Sequence, residues 1–290
     1  MSTHLRIYVF TYLPVYVSTC LHIYLYTFHM SEKQFIKLAI EDRVAIITID
    51  HPPVNAMKPE VLDELAATVD EINANPEVKA AIITGAGQMA FVAGADINVF
   101  TTLTTAEAAK VFITKGQQTF NKIENSKKPF IAAINGVALG GGMELAMSCH
   151  IRIVGDRVRL GQPEISLGII PGWGGTQRLT RIVGPAKATE LILTGDNLTA
   201  QEAFRLNLVN KVVPGGEVLK TAKDLAKKIV SKGAPSIAAA MDAIGKARDM
   251  ELNAGLAVEA DNVCKLVETE DAKEGIGAFL GKRQPVFKDK

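Results

Sequence analysis

Two glutamates in this chain stand where a carboxylate can do proton chemistry. Glu144 lies two residues beyond the triplet Gly140-Gly141-Gly142, where an apolar strand pattern gives way to a helical one. Glycines let the backbone approach a ligand closely, and the first turn of a helix points free N–H groups outward. The partial positive charge there favours an anion or a developing oxyanion. The same dipole is expected to hold Glu144 near its charged form, ready to take a proton from water. Glu164, in Gly161-Gln162-Pro163-Glu164, follows a strand and is flanked by Ile165, Leu167, Ile169 and Ile170. Those neighbours should desolvate it and raise its pKa. Two carboxylates in unlike surroundings make an acid/base pair.

An arbitrary glutamate is a solvated surface residue, and a glycine-rich turn is by itself weak evidence of a site. The nucleotide-binding readings of that turn fail on detail. Met143-Glu144 follows the glycines where a P-loop needs Lys-Ser or Lys-Thr, and no Gly-x-Gly-x-x-Gly opens the first strand–helix turn. A glycosidase also uses paired carboxylates, but Trp173 is the only tryptophan and no tyrosine follows Met30 to stack on a sugar.

The elements that must position the pair alternate. Phe35 to Ile40 and Val44 to Ile49 read as a β-hairpin around Glu41-Asp42-Arg43. Leu62, Leu65, Ala66, Val69 and Ile72 recur at helical spacing behind Pro59. Lys79 to Thr84 is a buried strand, Phe91 to Ile97 a glycine-bearing loop, Ala106 to Ile123 a helix and Pro129 to Ile134 a strand. Strands at Ile151–Val154 and Arg157–Leu160 precede a second turn-rich stretch, Pro171-Gly172-Trp173-Gly174-Gly175. From about Glu217 to Leu280 the pattern is helical, broken at Gly233–Pro235 and at Gly255. The class is α/β, a core of strands and helices followed by a helical C-terminal portion.

The first thirty residues differ from the rest. All five tyrosines and three of the five histidines fall there, and Arg6 is the only charged side chain before Glu32. Leu5 to Phe28 is long and apolar enough to suggest a membrane anchor, but Pro14 and several hydroxyl residues interrupt it. A leader peptide would want a more basic start and a small-residue cleavage site. The compositional break favours a start at Met30, with residues 1–29 a start-site artefact or a disordered extension. The division expected is 1–29 as an atypical extension, 30–216 as the core and 217–290 as the helical region.

The formal net charge of the whole chain is +1, so no global field invites nucleic acid or an anionic membrane. Cys20, Cys149 and Cys264 are far apart and form neither a metal-ligand spacing nor a disulfide framework. That usage suits a reducing compartment, and the cytoplasm is the expected location.

Several segments together are recognisable. Ala93-Gly94-Ala95-Asp96-Ile97, the run Asn135 to Ala146, Gly161-Gln162-Pro163-Glu164 and Pro171 to Leu179 closely resemble, in order, the signature segments of the crotonase superfamily. The resemblance covers about Phe35 to Lys288. It implies a spiral of ββα units with a C-terminal helical region that mediates trimerisation, usually as a homotrimer or dimer of trimers. It also implies an enoyl-CoA hydratase: reversible syn-type addition of water to a 2-enoyl-CoA giving a 3-hydroxyacyl-CoA, with a short acyl chain.

By that resemblance the backbone N–H groups of Ala95 and Gly141 form an oxyanion hole for the thioester carbonyl. Glu144 activates the water, and Glu164 holds it and protonates the α-carbon. Ala56, Ala93, Asp96, Ile97, Gly140 and Gly172 fall in segments that bind the acyl-CoA. Phe279 and Lys282 belong to a closing segment that reaches coenzyme A, often on a neighbouring subunit. The substrate brings the coenzyme; no cofactor and no metal is implied. The alternative within the fold is a 3,2-enoyl-CoA isomerase, whose members usually lack the first carboxylate. An RNA-binding member is disfavoured by the neutral core, which lacks a dense basic stripe. Cys149 reads as a small buried hydrophobe in a strand setting. His150 stands where related hydratases often carry Asp, a departure bearing on substrate preference. Trp173 either borders the acyl pocket or packs the core. Pocket depth is expected to depend on residues 99–120.

Overall fold

Asp42 and Arg43 both adopt left-handed backbone, φ 48° and 67°, the pair of values that a two-residue hairpin turn demands. They join β1 (Ile36–Glu41) to β2 (Val44–Ile49) in the computed structural model, which describes residues 33–290. Pro59 opens α1 (Pro59–Ala74), which buries Leu62, Leu65, Val69 and Ile72 along one face.

A unit then repeats. β3 (Ala80–Gly85) and β4 (Ala90–Val92) are followed by α2 (Ile97–Thr102) and α3 (Ala106–Glu124). β5 (Phe130–Ile134) and β6 (Val137–Leu139) lead into α4 (Gly141–Ser148). β7 (Ile151–Gly155) and β8 (Arg159–Gly161) lead through the 3-10 turn Pro163–Leu167 into α5 (Gly175–Val183) and α6 (Pro185–Thr194). In every unit the first strand joins a six-stranded sheet and the second a four-stranded one. Their orders are β1-β2-β3-β5-β7-β10 and β4-β6-β8-β9, where β9 is Leu198–Thr199 and β10 is Lys211–Val213. From β2 to β10 the large sheet is parallel, so the chain winds as a spiral of ββα turns. The resemblance implied this fold.

Parallel strands buried on both faces need apolar residues at consecutive positions. In β3, Ala81 and Ile83 face the main core with α1, α3 and α4, while Ile82 faces a second cluster. Val218, Ala222 and Ala226 of α8 (Val218–Val230) cover that second face. After α7 (Ala200–Arg205) and α8 come α9 (Ala234–Lys246), α10 (Leu252–Leu266) and α11 (Glu270–Leu280). Residues Lys33–Lys290 form one compact unit.

Three local expectations need correction. Gly255 lies inside α10, and the chain breaks at residues 247–251 instead; an exposed helix carries a glycine at a cost of only about 1 kcal/mol. The loop expected from Phe91 begins as β4, whose buried residues Ala90 to Val92 add a strand to the small sheet. β8 starts at Arg159 rather than Arg157, since residues 156–157 turn the chain. The expectation for residues 1–29 lies outside the described residues. Among the described residues no helix is long and apolar enough to cross a membrane.

Candidate active site

The site is built where the repeating units stack. Gly140, at φ 51° and ψ −125°, makes the turn from β6 into α4 in backbone conformation that a side chain resists. A β-carbon there would also stand 3.1 Å from Oε1 of Glu164. Gly141 follows as the first residue of α4, so its N–H has no acceptor within the helix.

Ala95 reaches the same place from the neighbouring unit. It forms a parallel bridge with Met57, made by Met57 N–H on the Gly94 carbonyl (2.8 Å) and Asp96 N–H on the Met57 carbonyl (2.9 Å). In such a bridge the N–H of Ala95 itself points to the other side. Ala95 N lies 3.5 Å from where a β-carbon of Gly141 would be. Among the described residues neither N–H is donated to a main-chain acceptor, and both residues line one cavity of about 1030 Å³.

All eight residues of α4 are buried, Glu144 included. Its Oε1 accepts two main-chain N–H groups, from Trp173 and Gly175, each at 2.7 Å. Burial outweighs these bonds and pushes the carboxyl up to about 7; the Gly175 N–H opposes, the charge of Glu164 adds, and the Trp173 N–H and Arg178 oppose. The expectation that the helix dipole keeps Glu144 near its charged form is therefore corrected, since desolvation on every side of a buried helix exceeds the dipole's contribution. Glu164, on the 3-10 turn, is half-buried and also raised, by burial against the partial opposition of its own backbone N–H. Its Oε2 is buried with no hydrogen-bond partner. An unmet buried carboxyl oxygen is costly unless something is there to bond it, such as water or a substrate hydroxyl.

Both glutamates line the cavity, with Ala93, Ile97, Gly140 and Gly172. Ala56 and Asp96 do not: the Ala56 carbonyl pairs with His51 Nδ1 (2.6 Å), and Asp96 caps α2 through Asn98 N–H (2.9 Å). Phe279 and Lys282 also lie outside it, Phe279 at the exposed end of α11. His150 is no wall residue either. Its Nδ1 accepts the Phe130 N–H (2.9 Å), its Nε2 meets the Glu124 carbonyl (3.2 Å), and burial first of all lowers it to about 4, so the ring is a neutral tie between strand and helix. Cys149 is buried as expected, but caps α4 rather than lying in a strand.

Phe100, Leu103, Ala109 and Ile113, with the polar Gln117, form the cavity wall from α2 to α3; all five fall within residues 99–120, though the sequence reading singled out none of them by number. Ala109, Ile113 and Gln117 recur every four residues, one stripe of a helix that was legible. Nor did it find the donors to Glu144, which are main-chain groups and leave no mark in residue types. Trp173 does both things considered for it. It lines the cavity and packs edge-on against Phe112 and Phe120, with ring centroids 5.3 and 5.6 Å away.

Among the described residues no group of three His, Cys, Asp or Glu side chains could hold a metal ion. A pair of coupled carboxyls beside two free N–H groups, in an apolar cavity, suits proton transfer next to a polarised carbonyl.

The chain is similar over most of its length to known proteins. The chain is 45% identical over 245 residues to a short-chain-enoyl-CoA hydratase of Clostridium acetobutylicum, covering 84% of this chain and 94% of that one. It is 44% identical over 253 residues to a crotonyl-CoA hydratase of Syntrophomonas wolfei, covering 87% and 97%. Among solved structures, an enoyl-CoA hydratase from Bacillus anthracis superposes with a TM-score of 0.85 at 37% identity, over 89% of this chain and all of that one. The family model described as Enoyl-CoA hydratase/isomerase matches residues 39–290. The chain belongs to the enoyl-CoA hydratase/isomerase family, and its fold is that of the crotonase superfamily.

Proposed function

We propose that this protein is an enoyl-CoA hydratase that adds water reversibly, with syn geometry, across the 2,3-double bond of a short-chain enoyl-CoA. The relatives at 42–45% identity over most of the chain carry hydratase names, which makes it a hydro-lyase. One observation carries the finer reading: two carboxyls raised by burial share a cavity with the unpaired N–H groups of Ala95 and Gly141.

In this reading the thioester carbonyl accepts those two N–H groups, which draws electrons from the β-carbon and stabilises the enolate. Each such donor is worth on the order of 3 kcal/mol in the transition state. Glu144 takes a proton from water as the hydroxyl bonds to the β-carbon. Glu164 gives its proton to the α-carbon. Glu144 has then gained the proton that Glu164 has lost, and one transfer between them restores the pair. The charge of Glu164 adds to burial in raising Glu144, which disfavours ionisation of both carboxyls at once, and a pair holding one proton is the state this cycle needs. No cofactor takes part, since coenzyme A arrives with the substrate. The isomerase alternative needs one proton shuttle only, and the presence of both glutamates favours hydration.

The short chain is supported by the names of the two relatives above. We assign Ala56, Asp96, Phe279 and Lys282, none on the cavity wall, to binding the rest of coenzyme A, the last two acting across subunits of a homotrimer or dimer of trimers. The cytoplasm is the proposed setting. Loss of the conjugated thioester absorbance of crotonyl-CoA tests the reaction directly. Rapid loss with the parent and a fall of about 10²- to 10⁴-fold in Glu144→Gln and Glu164→Gln is expected. A folded parent that leaves crotonyl-CoA intact but shifts a 3-enoyl-CoA into conjugation would make the chain an isomerase.

A further inference from the structure

Arg178 is a buried cation that does not line the cavity, yet it grips the loop that holds Glu144. Its Nη1 donates to the Trp173 carbonyl at 2.8 Å. Its Nε and Nη2 donate to Oε2 of Glu124, at 2.9 and 2.7 Å, and Nη2 also donates to Asn121 Oδ1 at 2.7 Å. Gly174, at φ 113°, lies against the guanidinium, and a β-carbon there would stand 2.2 Å from Nη1. The gripped carbonyl sits between the two N–H donors of Glu144, those of Trp173 and Gly175. A shift of that loop would therefore move both donors at once.

We propose that Arg178 is a positioning residue for Glu144: it fixes the Trp173–Gly175 backbone on Oε1 and brings a positive charge, partly neutralised by Glu124, behind that carboxyl. The proposal rests on the hydratase reading. Glu144 is faced by Arg178 from α5 and by Glu164 from the 3-10 turn. Glu124, at the end of α3, is shared by Arg178 and Arg248, the latter from the segment after α9. At the far end of α4, Arg152 donates to the Cys149 carbonyl and His150 meets the Glu124 backbone. Arg181 and Asp249 border the outer pocket of about 390 Å³ behind the loop.

Arg178 favours the charged form of Glu144, and the proposal requires the Glu124 carboxylate beside it to act with opposite sign, which separates this role from a merely structural one. The test follows kcat/KM for crotonyl-CoA against pH in the parent, Arg178→Met, Arg178→Lys and Glu124→Gln. In Arg178→Met, kcat/KM falls about 10- to 100-fold and its acid limb moves to higher pH, because a nearby cation no longer favours the carboxylate. Arg178→Lys recovers part of both. In Glu124→Gln the grip on Trp173 remains and the acid limb moves to lower pH. Loss of activity with an unmoved limb in both, or movement in one direction, overturns the proposal. Should Arg178→Met not fold, Glu124→Gln decides alone, since an unmoved limb there is enough to reject it. Titration of the ¹³C-labelled Glu144 carboxyl, with Glu144→Gln as blank, reads the same two displacements without turnover. Failure of the proposal is thereby distinguished from failure of the hydratase reading.

Discussion

Gly141 and Trp173 compete for one volume: a β-carbon on Gly141 would stand 2.4 Å from Cζ3 of the indole. It would also lie 3.5 Å from Ala95 N, so the glycine keeps clear both the helix start and the space beside the second donor. Gly116 faces the other side of the same indole, where a β-carbon would meet Nε1 at 2.3 Å. The ring is thus clamped between α3 and α4 and cannot yield to either side without a backbone shift.

Gly141→Ala is accordingly expected to cost about 1–3 kcal/mol of stability, the usual range for overpacking. It should also lower kcat by about 10²-fold or more through displacement of an N–H donor. Trp173→Leu in the same chain relieves the steric part, so a double-mutant cycle in melting temperature shows coupling while activity stays low. Parent-like melting and turnover in Gly141→Ala would mean that this contact constrains nothing.

Glu144 leads to a prediction about stability and pH. Its folded pKa is raised to about 7, above the ordinary 4.5 of a glutamate, chiefly by burial. The folded state then binds the proton more tightly, so its contribution is fully present below the unfolded pKa and lost as pH rises toward the folded one. The window runs from about pH 4.5 to about pH 7. Glu144→Gln keeps an oxygen for the two N–H donors and never ionises. It should exceed the parent in stability by about 1–3 kcal/mol at alkaline pH, with the gain fading toward about pH 5. Urea unfolding at several pH values measures this. A gain that does not vary with pH would place the stabilisation elsewhere.

How much of this was legible follows from what each feature is made of. The hairpin at Asp42-Arg43, the stripe of α1 and the parallel strands are written in side-chain periodicity, so their positions were found to within a few residues. Glu144 and Glu164 stood out in the sequence because glycine turns and apolar neighbours flank them and because their segments resemble the crotonase signatures, and both line the cavity. The grip on Glu144 was not, because its donors are the N–H groups of Trp173 and Gly175, which any residue carries. The state of Glu144 was misjudged for a related reason. A helix dipole can be inferred from a helix start, whereas burial of all eight residues of α4 depends on α3, α5 and the small sheet closing around it.

The C-terminal segment carries a prediction of its own. Asp289 accepts from Lys79 Nζ (2.7 Å) and Ala234 N–H (2.7 Å) and pairs with Arg43, tying the last residues to the β1–β2 turn, the residue before β3 and the start of α9. Burial opposes its ionisation, but these partners together hold the carboxyl below its ordinary range. Lys79 is 3% exposed on its side chain, so Asp289→Ala leaves a buried ammonium with only the Lys232 carbonyl. A loss of about 3 kcal/mol is expected, as for other broken buried pairs. A depressed pKa contributes stability above the unfolded value that is lost as pH falls through the folded one. The deficit of the variant should therefore shrink in acid. A variant as stable as the parent at neutral pH would show that the clamp is dispensable.

Chain length should respond to α3. Ile113 lines the cavity, and a β-carbon on Gly172 would stand 2.7 Å from its Cδ1, so this side chain closes the space between α3 and the Pro171–Gly175 loop. Ile113→Ala removes three carbons from that wall without touching Glu144, Glu164, Ala95 or Gly141. The ratio of kcat/KM for an eight-carbon over a four-carbon enoyl-CoA should rise about tenfold or more, the scale on which a hydrophobic pocket distinguishes a methylene. The two substrates are to be compared in one preparation, so that any general loss of stability cancels in the ratio. An unchanged ratio would move the end of the acyl pocket away from Ile113 and toward Phe100 and Leu103, the other large apolar residues of that wall.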